Sequence, residues 1–328
     1  MKSLAKFLLV TVLGLVLAVL LVVFWPVPLS EPKLLVRVPP GASLRTAAQS
    51  LNEGGVGVPA WVISGVGRVS GLSSSIKAGS YEFDQGIALW ALLRKLASGD
   101  TSQAEVLFVE GSIFREIRAK LNAQTELVHT TRDMNEATIM ARLGMSGQSA
   151  EGWFFPDTYR FDKRSEDLEV LQRALSAMQK QLNTVWQSRD ANLPLKSPYE
   201  LLILASIVEK ETGTAADRTQ IAGVFINRLR KGMRLQTDPT VIYGLGERFD
   251  GNLRKGDLQR DTPHNTYTRA GLPPTPICMP GLAALQAAAH PAKTDALYFV
   301  AKGDGSSQFS ATLEAHNQAV NQYQRGKP

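Results

Sequence analysis

The hydrophobic pattern begins with an apolar run from Phe7 to Trp25 that contains no charged residue. A helix of about 19 residues is roughly as long as the hydrocarbon core of a bilayer is thick, because each residue adds about 1.5 Å. The run has no small-x-small cleavage site, and its last residue, a tryptophan, is typical of a membrane interface. We predict an uncleaved transmembrane anchor over 7–25; the alternative is a cleaved secretory signal.

The tail that precedes this run, 1–6, is short and carries Lys2 and Lys6. A short basic tail favours a cytoplasmic N-terminus, although basic residues also follow the run and keep the charge bias small. The sequence therefore predicts a single-pass protein whose remaining chain lies outside the cytoplasm.

Residues 26–100 show the pattern of a small βααβ unit. The segments "LLVRV" and "AGSYEFD" have the composition of short strands, and helical patterns occur near 59–68 and 87–96. Ser43 is placed to cap a further helix, whose apolar residues recur at helical spacing: Leu44, Ala47, Ala48 and Leu51. The shape is similar to that of small glycan-binding modules; the alternative is a spacer that holds the next domain away from the membrane.

The pattern between 101 and 150 is weaker. "AEVLFVEG" predicts a strand and 113–121 a helix, whereas 122–150 is polar and mixed. Two long helical patterns follow at about 167–187 and 198–231. We predict an α+β fold in which 101–150 is a linking segment and 151–328 is a larger domain.

The second long pattern, 198–231, predicts a hairpin of two helices. Ser197-Pro198-Tyr199-Glu200 is a capping box with proline at the first helical position, and the helix that follows is apolar on nearly every face through Val208. Gly213 fits the position just after a helix, and Thr214-Ala215-Ala216-Asp217 begins a second helix. The first helix is therefore expected to be enclosed by protein.

Two carboxylates, Glu209 and Glu211, stand at the end of this enclosed helix. Residues two apart are rotated by about 200°, so the two side chains are expected to face nearly opposite sides. The unpaired carbonyls of a last helical turn disfavour a carboxylate and raise its pKa, as a general acid requires. The alternative is a structural role with Lys210, Arg218 or Arg228 as partner, and periodicity does not choose between the two.

The C-terminal third is rich in amide, hydroxyl and aromatic side chains, in the segments 233–244, 265–281, 287–292 and 297–305. We expect these segments to lie outside regular elements, where prolines stiffen them over a cleft. Such groups suit a neutral sugar; the alternative is ordinary turn chemistry.

Composition and charge exclude several classes of function. The chain of 328 residues carries a net charge of +6 and has a pI of about 9.4, which suits an anionic polymer or membrane surface. No Lys/Arg-rich run or Cys/His finger is present, so nucleic acid is not an expected partner. Cys278 is alone and the four histidines lack the spacing of metal ligands, so we expect no disulfide, no metal and no cofactor.

Several long motifs resemble the YceG-like family of endolytic murein transglycosylases: "ASIVEKET", "VFINRLRKGMRLQTDPTVIYGLGER", "NTYTRAGLPP" and "ALQAAAHPAKTDALYFVAKGDG". The resemblance is close over about 150–325 and extends to the N-terminal anchor and the small unit; it includes the segments "KAGSYEFD" and "EGWFFPDTY". Cys278 and Met279 stand where smaller residues occur in relatives. The resemblance implies a LysM-like unit over 26–100 and a catalytic domain over 151–328 whose helical hairpin carries the catalytic glutamate.

The resemblance also implies an activity: a single-pass inner-membrane enzyme, active in the periplasm, that cuts the β-1,4 bond between N-acetylmuramic acid and N-acetylglucosamine. It leaves 1,6-anhydro ends within nascent peptidoglycan strands, near penicillin-binding-protein synthases. Carried over residue by residue, the catalytic acid/base is Glu211, the second glutamate of "EKET". Glu209 is then expected to be structural.

Candidates to hold the sugar and orient the acid are five polar residues of the C-terminal third: Gln236, Asp238, Tyr243, Asn265 and Tyr267. Asp238 precedes a proline, so the alternative is that it caps a turn. If it lies opposite Glu211, a hydrolytic muramidase with two carboxylates becomes the second candidate function. A third is an inactive membrane-tethered scaffold that binds glycan and recruits synthases.

Overall fold

The computed structural model describes residues 2–211 and 214–326, so the predicted helix-ending Gly213 lies outside the described residues. The chain divides into two compact units. The first comprises residues up to 105 together with 126–128 and 160–165, and the second comprises the rest. The predicted linking segment, 101–150, contributes residues to both units, and the domain limits stay a prediction.

The N-terminal helix α1 spans Lys2–Phe24. Its stretch Lys6–Phe24 has a mean hydropathy of 3.2 and is not buried by other protein, so it is long and apolar enough to cross a membrane. This agrees with the predicted anchor in length and composition. The orientation of the helix in a membrane stays a prediction.

The rest of the first unit has the predicted order of strand, two helices and strand. Strand β1 (Lys33–Val38) pairs antiparallel with β2 (Gly79–Asp84). The helices are α2 (Leu44–Glu53), α3 (Ala60–Val69) and α4 (Leu89–Ser98). Ser43 caps α2 as predicted, because its Oγ accepts a hydrogen bond from the Thr46 N–H at 3.2 Å. The inner faces of all five elements enclose one apolar core.

Strands β3 (Gln103–Leu107) and β4 (Thr158–Asp162) form a two-stranded sheet. Helix α5 spans Phe114–Asn122, close to its predicted limits. A short helix that the sequence did not indicate, α6 (Glu136–Arg142), lies in the polar segment that follows. Asn135 caps it by accepting from the Thr138 N–H at 2.8 Å.

The second unit is mainly helical. Its long helices are α7 (Asp167–Ser188), α8 (Pro198–Glu211) and α9 (Ala215–Arg230). The shorter ones are α10 (Asp238–Leu245), α11 (Lys255–Gln259), α12 (Leu282–Ala289) and α13 (Leu313–Val320). Strands β5 (Tyr298–Ala301) and β6 (Ser307–Ser310) pair antiparallel. Turns of 3-10 type (Gly246–Arg248) and π type (Asn321–Arg325) follow α10 and α13.

Helix α8 is enclosed as predicted, because every residue from Leu201 to Val208 is buried. Helices α7, α9 and α12 pack around it. Ser197 accepts from the Glu200 N–H at 3.3 Å, as a capping box requires. The Glu200 carboxylate bonds to the N–H of Lys196 at 2.6 Å, one residue earlier than that motif predicts.

Three of the C-terminal segments expected to lie outside regular elements contain one. Residues 287–289 form the end of helix α12, where their alanine side chains are buried. Residues 238–245 form helix α10 rather than a loop, because Pro239 is suited to a first helical turn and Val241 and Leu245 are buried. Residues 298–301 form β5, whose backbone hydrogen bonds to β6 depend on a partner that lies further along the chain.

Candidate active site

The two glutamates at the end of α8 bond to different segments, as the helix geometry predicts. Glu211 accepts a hydrogen bond from the Thr237 hydroxyl, through its Oε1. Glu209 accepts from the Gly281 N–H at 2.9 Å, directly before α12. This bond places the Glu209 carboxylate at the N-terminus of α12, and the structural role expected for Glu209 stays a prediction.

The environment of Glu211 favours its protonated form. Burial raises the pKa of this carboxyl above its ordinary value, and the negative charge of Asp238 raises it further. The Thr237 hydrogen bond and the Arg228 charge act in the opposite direction but do not reverse the shift. A carboxyl group of this kind retains a proton nearer to neutral pH than an exposed glutamate does, which is the property of a general acid.

The segment that carries Thr237 is held in an unusual backbone conformation. Gln236 has a φ of +51°, in the left-handed region that costs a residue with a Cβ free energy. Its N–H donates to the Thr266 carbonyl at 3.2 Å, and the Thr237 N–H donates to Thr266 Oγ1 at 3.1 Å. These two bonds fix the backbone on both sides of the strained residue.

Arg228 supports the same segment from α9. Arg228 as a whole is only 7% exposed. It donates to the Leu235 carbonyl at 2.7 Å and to the Leu297 carbonyl at 2.7 Å. Sequence reasoning considered Arg228 as a possible partner of a glutamate but did not predict its bonds to the backbone. They tie the Thr237 segment to the residues before β5.

Asp238 and Tyr267 form a pair beside Glu211. The Tyr267 hydroxyl donates to Asp238 Oδ1 at 2.6 Å. Burial and the Asp238 charge raise the pKa of Tyr267, so the phenol stays protonated. Asp238 is the first residue of α10, with its side chain exposed. The structure brings together four of the predicted residues: Glu211, Gln236, Asp238 and Tyr267.

Asn265 has a different place from the one predicted for it. It is 0% exposed, and its side-chain amide donates to three backbone carbonyls, of Asp257, Leu258 and Arg260. Its side-chain oxygen accepts from the Tyr267 N–H at 2.8 Å. Since its donors and acceptor are used inside the loop, Asn265 shapes the segment that presents Tyr267. This burial does not support a direct contact with sugar.

Tyr243 also bonds inward, to a carboxylate that sequence reasoning missed. Its hydroxyl donates to Glu151 Oε2 at 3.2 Å. Glu151 is 4% exposed and accepts from the Phe114 N–H at the start of α5. Burial raises the pKa of Glu151 to about 7. The motif "EGWFFPDTY" contained this residue, but nothing in its local pattern predicted burial.

The ring of Tyr243 packs edge-on against His264, with 4.8 Å between the ring centroids. Burial lowers the pKa of His264, so its imidazole is neutral at physiological pH. Its Nε2 lies 2.9 Å from Thr275 Oγ1. His264 therefore belongs to the packing of α10. Among the residues that the structure describes, no cluster of three or more potential metal ligands occurs.

These features define an α+β protein with an acid of raised pKa at the end of an enclosed helix. The sequence profile of the YceG-like family matches residues 36–322, and the chain belongs to this family. The family resemblance inferred from the motifs is thereby confirmed.

Relatives and a solved structure agree with this assignment. A Bacillus subtilis (strain 168) protein named endolytic murein transglycosylase is 34% identical over 307 residues, 88% of this chain and 84% of that protein. A Streptococcus pneumoniae (strain D39) protein of the same name is 26% identical over 332 residues, 91% of this chain and 60% of that protein. The crystal structure of a YceG-like protein from Listeria monocytogenes is similar at a TM-score of 0.54 and 31% identity, over 88% of this chain and 99% of that one.

Proposed function

We propose that this protein is an endolytic lytic transglycosylase of peptidoglycan in which Glu211 is the single acid/base. It cleaves the β-1,4 bond between N-acetylmuramic acid and N-acetylglucosamine and leaves a 1,6-anhydro end. The observation that carries the proposal is the partly buried Glu211 carboxyl, with its raised pKa and its hydrogen bond from Thr237. The names of the Bacillus and Streptococcus relatives support the substrate and the reaction class.

The proposed reaction moves one proton through Glu211. The protonated carboxyl donates to the glycosidic oxygen as the bond between that oxygen and C1 of N-acetylmuramic acid breaks. The resulting carboxylate takes the proton of the sugar's own 6-hydroxyl, whose oxygen attacks C1 and closes the anhydro ring. Glu211 ends protonated, as it began, and no water is consumed.

The neighbours of Glu211 have distinct parts in this scheme. Thr237 orients the carboxyl group by its hydrogen bond. The Asp238 carboxylate raises the pKa of Glu211 and favours positive charge developing at C1. Tyr267 holds Asp238 in place, and the exposed Gln236 is available to the sugar. Tyr243 positions α10 through Glu151 rather than binding the substrate directly.

The anchor helix and the small unit give the proposed enzyme its location. With a cytoplasmic N-terminus, α1 places the catalytic unit in the periplasm at the inner membrane, where nascent strands emerge. The LysM-like unit would bind the same glycan. Association with penicillin-binding-protein synthases follows from this placement, since both enzymes act on the same strands.

Digestion of purified peptidoglycan by the full chain in detergent, followed by mass spectrometry, tests the reaction. Anhydro ends are expected. Reducing ends would identify a hydrolytic muramidase instead, with Asp238 as the second carboxylate beside Glu211. If no fragments form, the remaining candidate function is the inactive scaffold that binds glycan.

Matched substitutions in the same helix turn test the acid. We expect Glu211→Gln to abolish cleavage, because the amide can neither donate the acidic proton nor accept the one from the 6-hydroxyl. Glu209→Gln is the control, since this residue bonds to the Gly281 N–H. Activity retained by Glu211→Gln, or lost only in Glu209→Gln, would show the assignment to be wrong.

A further inference from the structure

A cavity of about 630 Å³ lies in the second unit, apart from the residues of the candidate active site. The segment 144–148, the middle of α7 and the start of α8 line it. Its volume falls in the range of small-ligand sites in proteins, about 300–1,000 Å³. None of the residues that line it is charged.

The lining combines amide groups with an aromatic wall. Gln148, Gln179 and Asn183 supply the amides. Tyr199 is stacked on Trp153, with 5.7 Å between the ring centroids and 10° between the planes. An amide both donates and accepts hydrogen bonds, as the hydroxyl and N-acetyl groups of a sugar require, and an aromatic surface suits the apolar face of a pyranose ring.

Part of the hydrogen-bonding capacity of this cavity is unused. Trp153 is 9% exposed, and its buried Nε1 has no hydrogen-bond partner. Gln179 Nε2 points to the Met145 sulfur at 3.5 Å, and a thioether is a weak acceptor. The Gln179 amide can therefore exchange this weak contact for a hydrogen bond to a ligand, whereas the Trp153 Nε1 is enclosed by protein.

The cavity is well separated from Glu211. Tyr199 and Glu211 lie at opposite ends of α8, twelve residues apart, which corresponds to about 18 Å along the helix axis. A glycan strand that reached both places would have several sugars between them. A ligand in the cavity therefore does not compete with the sugar that Glu211 is proposed to cut.

We propose that this cavity, the Trp153–Tyr199 pocket, binds a neutral N-acetylated amino sugar of the strand, as a subsite remote from the scissile bond. The uncharged lining favours such a sugar over the carboxylates of a stem peptide, which would require a cationic partner. The inference rests on the proposed function, since the ligand is taken to be the strand that Glu211 cuts. It implies that long strands gain affinity from the pocket and short fragments do not.

A footprint tests binding in the full chain carrying Glu211→Gln, in detergent, with tetra-N-acetylchitotetraose as the probe. Hydrogen–deuterium exchange is expected to slow over 144–153 and 179–199 when the probe is added. The double variant Gln148→Ala/Asn183→Ala changes two exposed side chains of the pocket and should remove this protection. Gln187→Ala, an exposed residue of the same helix outside the pocket, is the control and should retain it.

Three outcomes would overturn the proposal. The first is no protection of these segments by the tetrasaccharide. The second is equal protection in the double variant. The third is protection by a free stem pentapeptide but not by the sugar, which would assign the pocket to the peptide.

Kinetics with Glu211 intact give a second readout. Loss of two hydrogen-bonding side chains is expected to raise KM for long strands by at least about fivefold, since each neutral hydrogen bond contributes a factor of about 2 to 12. The kcat, and the cleavage of short oligosaccharides, should stay as in the unsubstituted chain. An unchanged KM for long strands in the double variant would contradict the proposed pocket but not the proposed transglycosylase activity. If the unsubstituted chain forms no anhydro ends, the proposed reaction is contradicted, and the exchange footprint still tests sugar binding in the pocket.

Discussion

Replacing Thr237 by valine isolates the hydrogen bond that tunes the proposed acid. Thr237 is 2% exposed, and valine has nearly the same shape, so the change removes the donor to Glu211 Oε1 with little change in packing. A hydrogen bond donated to a carboxylate stabilises the charged form and lowers its pKa. Its loss must therefore raise the pKa of Glu211 above the already raised value in the unsubstituted chain.

The size of this shift follows from the free energy of the bond. A hydrogen bond to a charged group contributes about 1.5–3 kcal/mol, and one pKa unit corresponds to about 1.36 kcal/mol, so the pKa of Glu211 should rise by about 1–2 units. The acid stays protonated to a higher pH in the variant. The alkaline limb of the activity profile should move upward by the same amount, with a lower maximum because the carboxyl group is less well oriented.

The assay is the rate of anhydro-end formation from purified peptidoglycan between about pH 5 and 9, for the full chain in detergent. Thr237→Ser is the matched control, because it keeps the hydroxyl and should leave the alkaline limb where it is. An alkaline limb that does not move in Thr237→Val, or that moves to lower pH, would refute the reasoning about Glu211.

Three further predictions concern the supports of the site. The pKa of Glu151 is about 7 in the folded state against 4.5 in the unfolded state, so the folded form binds more protons between these values. The contribution of Glu151 to the free energy of unfolding is therefore fully present below about pH 4.5 and is lost as the pH rises through 7. Urea unfolding should show that Glu151→Gln removes about 3 kcal/mol of this pH dependence, and an equal slope in both proteins would contradict it. Arg228→Lys keeps the charge but not the fork that reaches Leu235 and Leu297 together; we expect at least about a tenfold loss of cleavage rate, and normal activity would show that the support is dispensable. Asn265→Ala leaves buried carbonyls unpaired and should lower the free energy of unfolding by about 1–3 kcal/mol, with KM nearly unchanged, whereas a raised KM on a stable fold would restore the sugar-binding role.

Much of the helical framework was predictable because its signals are local. Proline after Ser197 begins α8, and the all-round apolar pattern predicted its burial. The same local rules placed α2 behind Ser43 and showed that Glu209 and Glu211 diverge. Helix α10 was not predicted because its Asp238-Pro239 start and Gly244 equally suit a turn.

The surroundings of the proposed acid were not predictable in the same way. Gln236 has a left-handed conformation, and hydrogen bonds from Arg228 and to Thr266 hold the residues on either side of it. Glu151 has an ordinary sequence context, and its burial results from packing against Phe114 and Tyr243. The sequence made Asn265 a candidate to bind sugar, but its amide bonds to the backbone of its own loop.

The sequence by itself determined an N-terminal helix long and apolar enough to cross a membrane, the helix that bears the two glutamates, and the family. These depend on composition, short-range spacing and long motifs. Only the tertiary structure decided which polar groups surround Glu211 and which merely shape the loops. The physical reason is that a pKa and a hydrogen bond depend on distance and burial in space. Residues 237 and 211, or 243 and 151, acquire their roles only when the chain brings them together.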